Sequence, residues 1–156
     1  MGETRTVRLN YLAILVSALV YFALEAMWFS IFMKEWMIGN RQTAEDLEQL
    51  QQQGHSPLIA YAMAFAGALV IAAVISLLTQ MTGRQTIIRG VFISIVSWIG
   101  FVLTTWSTEY AFEARDWKSL GINIGASLIG MVLMGAIVGG WKAKPKDSIP
   151  VSVPLG

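Results

Sequence analysis

Four stretches of this chain leave little choice of fold. Residues 11–32, 58–81, 90–112 and 119–141 are almost wholly apolar. Each matches the roughly 20 helical residues that cross a hydrocarbon core. No water reaches that core, so every backbone N–H and C=O must find its partner within the segment, which only a helix or a closed barrel provides. The runs are far too long for barrel strands. The expected fold is therefore all-α: a four-transmembrane-helix antiparallel bundle, up-down-up-down, occupying residues 1–141. A mobile tail is expected over 142–156.

The composition agrees: 55% of residues are hydrophobic, 13% are charged, and the mean hydropathy is +0.58. A net charge of +1 and the lack of a basic, aromatic-interleaved patch exclude nucleic acid as a partner. There is no cysteine and one histidine, His55. Disulfides, thiolate chemistry and multi-histidine metal sites are thereby excluded. No cofactor and no metal are expected.

The first run follows Arg5 and Arg8, as a signal peptide would. It is too long for one, and Glu25-Ala26-Met27-Trp28 makes a poor cleavage site. The polar connection 33–57 holds one short surface helix. Thr43 followed by Asp46 has the form of a capping box, and Gly54 provides a stop. Ser56-Pro57 is a start signal for the second span. Ala60, Ala64, Ala68, Ala72 and Ser76 then recur every four residues, as do Gly121 with Gly125 and Gly135 with Gly139. Small residues at that spacing allow close helix contact in a membrane, within the chain or in a homo-oligomer. The two halves share an outline, an aromatic-rich helix with an outer glutamate followed by a small-residue helix, which suggests a parallel repeat.

Lysine and arginine set the orientation. Arg5, Arg8, Arg84, Arg89, Lys142, Lys144 and Lys146 fall on one side; Lys34, Arg41, Arg115 and Lys118 fall on the other. The excess predicts cytoplasmic N- and C-termini and a place in the inner (cytoplasmic) membrane. Trp36, Trp117 and Trp141 suit interface anchors.

Two carboxylates lie within the spans, where a charge is costly and usually turns toward protein or water. Glu25 falls about 5 Å outside the middle of the first span and Glu109 about 12 Å outside the middle of the third. Thr105, Glu109 and Glu113 share one helical face. Turned inward, Glu25 and Glu109 would meet Tyr21, Trp28, Trp98, Thr105, Trp106, Tyr110 and Asn123 in the outer half of the bundle. Such a pocket suits an amphipathic or lipid-soluble small molecule. A carboxylate ringed by aromatics also suits a cationic amphiphile. Equally, the same polar groups form a hydrogen-bonded structural network. Arg115 with Glu113 or Asp116 reads as a surface ion pair.

The order and spacing of several motifs add a resemblance. They are Asn10 to Val16; Trp28-Phe29-Ser30 with Lys34 and Trp36; Trp98, Gly100-Phe101, Thr104-Thr105, Tyr110, Phe112-Glu113 and Arg115; and Ile122-Asn123, Gly125, Met134 to Ile137, Gly139 and Trp141. Over residues 10–141 the chain resembles a bacterial four-helix integral membrane family catalogued only as a domain of unknown function. The resemblance implies an integral membrane protein and supplies no activity. The chain departs from that pattern after Ser30, where a longer proline-containing segment is usual. It departs again at Glu25, where a small residue is usual, and at Glu109, where an amide is usual.

Three expectations follow. The first is a membrane protein that binds an amphipathic or lipid-soluble molecule, with membrane lipids as its surroundings. The second is a membrane-embedded hydrolase, isomerase or cyclase in which Glu25 and Glu109 are the catalytic acid and base, Glu25 protonated by desolvation and Glu109 ionised. The third is an assembly or interaction subunit that uses the small-residue faces.

Overall fold

The structure is a computed structural model that describes residues 8–143. The basic side chains at Arg5, Lys144 and Lys146, and the tail expected to be mobile from residue 144 on, lie outside the described residues. The first spanning helix, α1 (Tyr11–Gly39), continues past the apolar run into the polar connection. After it come a surface helix, α2 (Ala44–Gln52), and the second span, α3 (Pro57–Met81). The third span, Ile87–Phe112, is one continuous helix in three parts. They are α4 (Ile87–Ser97), a π-helical segment (Trp98–Leu103) and α5 (Thr104–Phe112). The last span is α6 (Trp117–Gly140). The described residues contain no strand, and four of their helices are long and apolar enough to cross a membrane.

Side-chain caps fix where these helices begin. The Asn10 side chain accepts the Ala13 N–H, and Asp116 accepts the Lys118 N–H. Thr43 and Asp46 form a reciprocal capping box: the Thr43 hydroxyl accepts the Asp46 N–H, and the Asp46 carboxylate accepts the Thr43 N–H. Each satisfies donors that the first turn leaves without helical partners.

The same polar groups tie the helix ends together. At one end, the Asn10 amide donates to the carbonyls of Trp141 and Lys142, the Gln80 side chain accepts the Arg8 N–H, and Gln85 donates to the Val138 carbonyl. Residues 10, 80, 85 and 141 therefore share one end of the bundle, as the up-down topology requires. The connections 40–56 and 113–116 lie at the other, here called the distal end.

Helix α6 is the axis, touching α1, α3, α4, the π segment and α5. Glycine makes this possible. A Cβ on Gly90 would collide with the Gly135 carbonyl, and one on Gly135 with the Gly90 carbonyl. Gly139 meets the Thr86 backbone, and Gly130 receives the ring of Tyr21. With little hydrophobic drive between helices in lipid, such close approach supplies the packing.

Packing is dense at the proximal end and looser at the distal end. Ala68, Ala72, Ile75, Ser76 and Thr79 of α3 are buried, whereas every residue from Pro57 to Ala64 is exposed. The small-residue stripe is thus an internal seam from Ala68 on and an open surface at Ala60 and Ala64. In this distal half, Phe22 of α1 meets Tyr61 and Phe65 of α3 edge-on, with centroids 6.3 and 5.9 Å apart.

Candidate functional site

The inner face of the third span begins regularly. Gly90 and Ser94 pack on Gly135, and the Trp98 indole donates to the Ser127 hydroxyl at 3.0 Å. At 3.6 residues per turn that seam would run on through Phe101 or Val102 to Thr105 and Glu109. It does not. Phe101 is 74% exposed, Thr105 and Glu109 face outward, and Tyr110 is the buried residue at 1% exposure. The cause is the π-helical segment Trp98–Leu103. Its wider turn takes up one extra residue. It rotates α5 by about 100° relative to α4.

The rotation divides the residues expected to share a pocket. Tyr110 and Asn123 meet inside: the Asn123 amide donates to the Tyr110 hydroxyl at 2.6 Å. Around them lies a network whose extent the sequence did not reveal. Asn40 donates to the Ser119 hydroxyl at 2.7 Å and accepts from Tyr110 and Arg115, each at 3.3 Å. Trp36 donates to the Asn123 side-chain oxygen Oδ1 at 3.2 Å. The Arg115 guanidinium stands 5.3 Å over the Tyr110 ring and pairs with Glu113. Trp106 stacks on the outer side of Tyr110 and is itself partly exposed. This latch joins the end of α1, the end of α5 and the start of α6. Asn40 and Ser119 were missed because both fall outside the obvious span interior; the only available signal was their place at the helix ends.

Trp98 and Tyr21 lie deeper. Trp98 is buried, and Tyr21 is packed on Gly130. Trp28 packs on Gly125 and donates to the Ile122 carbonyl at 3.0 Å. Glu25 lies on the same stripe of α1 as Tyr21 and Trp28, half-buried, with the Tyr21 hydroxyl beside it.

Thr105 and Glu109 are turned away from the buried Tyr110 face of α5. With Thr104 and Thr108 they line an open depression of about 480 Å³, to which α1 contributes no residue. Glu25 and Glu109 therefore do not border this depression together. Its chemistry is one-sided. The Thr104 hydroxyl donates to the Gly100 carbonyl at 2.6 Å and the Thr108 hydroxyl to the Thr104 carbonyl at 2.9 Å. Their protons are committed, so these two hydroxyls offer lone pairs beside the carboxyl of Glu109.

Four long apolar helices and a capped, latched interior define an all-helical, multi-pass membrane protein. The chain belongs to the family described as a protein of unknown function, DUF1761, whose model matches residues 12–139. No curated protein and no solved structure matches it.

Proposed function

We propose that this protein binds a cationic amphiphile on the distal, outward face of α5. The observation that carries the reading is the acceptor-rich depression formed by Thr104, Thr105, Thr108 and Glu109 on a spanning helix. Polar groups facing hydrocarbon without partners are costly. A ligand that brings an ammonium group and an alkyl tail satisfies the carboxylate and lies along the apolar flank of the same helix. Phe101 and Phe112, both exposed, supply that flank. The basic residues favour cytoplasmic termini in the inner membrane, which sets the depression toward the outer leaflet.

Titration of dodecylammonium against the protein in phosphatidylcholine nanodiscs, read by tryptophan fluorescence, tests this. A charge-assisted hydrogen bond is worth about 1.5–3 kcal/mol. Glu109→Gln should therefore weaken binding by roughly ten- to a hundredfold, while dodecanol binds both forms alike. Equal affinity of the two forms for dodecylammonium would reject the reading.

A second reading is association through α3. The exposed stretch of small residues at Ala60 and Ala64 supports it, because lipid gives no reason for that spacing. A helix from a second copy would be the occupant.

A further inference from the structure

We infer that the π-helical segment Trp98–Leu103 is a register switch that exchanges Tyr110 and Glu109 between the interior of the bundle and its outer face. Two observations point to it. First, the seam of α4 at Gly90, Ser94 and Trp98 continues in regular α-helical geometry to Thr105 and Glu109, so the sequence carries an inward face for α5 that the present register leaves outside. Second, most of the polar groups around the Tyr110 hydroxyl are donors that a carboxylate can also use. Asn123 brings an amide donor, Ser119 a hydroxyl and Arg115 a guanidinium over the ring, while the Asn40 side-chain oxygen accepts from the phenol. The phenol accepts from Asn123 and donates to Asn40; a carboxylate can accept from Asn123, Ser119 and Arg115. Glu109 is one residue from Tyr110, a rise of only about 1.5 Å, so removing the π turn brings its carboxylate to the same level and the same side.

The two registers are a discrete alternative rather than a continuous motion, because the interior accepts one side chain or the other. In the observed register Tyr110 is latched and Glu109 faces outward. In the second, Thr105 and Glu109 leave the hydrocarbon and Tyr110 turns to the outer face. There its ring and hydroxyl suit the membrane interface. Gly100, within the π segment, meets nothing within 4 Å of where its Cβ would be, so no neighbouring helix packs against the segment at that point. The exchange follows from the register and does not depend on an amphiphile being the ligand. Were both correct, inward rotation would withdraw the Glu109 site, and a bound ammonium would hold the π register.

The chain has no cysteine, so a nitroxide placed through Thr105→Cys reports from one position. In phosphatidylcholine nanodiscs, the observed register gives a mobile label open to oxygen dissolved in the lipid. Deleting Gly100 removes the extra residue and leaves Tyr110 on the inward seam of a regular helix, so it should fix the observed orientation and keep the label mobile and oxygen-accessible. Tyr110→Phe keeps the chain length and the packing while removing the latched hydroxyl. It should raise the immobilised component from a minor to a major share of the spectrum, and Glu109→Leu in that background should return it to minor. If the deletion variant does not fold, the Tyr110→Phe pair decides. A Thr105 label that stays mobile and equally oxygen-accessible in Tyr110→Phe overturns the inference.

Discussion

At the level of single residues, Gly135 shows how closely this bundle is packed: the Gly90 carbonyl occupies the place where its Cβ would stand. Gly135→Ala must push two backbones apart. Overpacking of this kind costs about 1–3 kcal/mol, and thermal unfolding in detergent should show the loss. Gly121 meets nothing within 4 Å, so Gly121→Ala should leave the unfolding temperature where it is. The sequence pairs Gly121 with Gly125 as readily as Gly135 with Gly139; only the neighbouring helix tells them apart. Ser94 behaves differently. Its Oγ is fully buried and has no hydrogen-bond partner among the described residues. An unsatisfied buried hydroxyl costs about 1–3 kcal/mol, so Ser94→Ala should raise the unfolding temperature rather than lower it. A fall would mean that an unseen partner, such as a water, serves that hydroxyl.

At the level of elements, local signals were readable and register was not. Thr43 and Asp46 announced the start of α2, and the capping box is there because its bonds involve only residues three apart. That box also has a pH signature. The Thr43 hydroxyl and N–H, both donating to the Asp46 carboxylate, hold its pKa below the ordinary aspartate range. Its contribution to the cap is therefore complete above the pKa of an unfolded chain and is lost as pH falls through the lowered folded value. Amide protection over residues 44–47, taken relative to the intrinsic exchange rate at each pH, should fall on acidification in that range, and Asp46→Asn should flatten the response. In α5, by contrast, the four-residue recurrence of Thr105, Glu109 and Glu113 pointed inward by regular geometry. A π turn is a tertiary compromise, favoured here by the Tyr110 latch and by the seating of Trp98 on Ser127, and no local residue type marks it. The part of the candidate site that lay on α1 and α6 kept its inward orientation. The part on α5 was divided by that one turn.

For the whole molecule, hydropathy sufficed for the fold class, because the requirement that backbone groups be satisfied in lipid acts on each span separately. It could not show that α3 stands away from the bundle over Pro57–Ala64, since an alanine stripe reads the same whether it meets a helix or lipid. The stripe is nonetheless buried at Ala68, so Ala68→Leu should destabilise the protein by overpacking, while Ala64→Leu should be tolerated unless a second copy covers it. A reporter fused at Gly54 should read the outer side of the membrane; a cytoplasmic signal there would reverse the orientation.

The proposed cation site is the outward face of α5, where Glu109 stands beside three threonines. A photoreactive alkylammonium probe, irradiated with the protein in phosphatidylcholine nanodiscs and mapped by mass spectrometry, locates its binding site directly. That site predicts adducts within Gly100–Phe112, displaced by excess dodecylammonium and lost in Glu109→Gln. Adducts on Tyr21, Trp28 or Asn123 that persist in Glu109→Gln would contradict it.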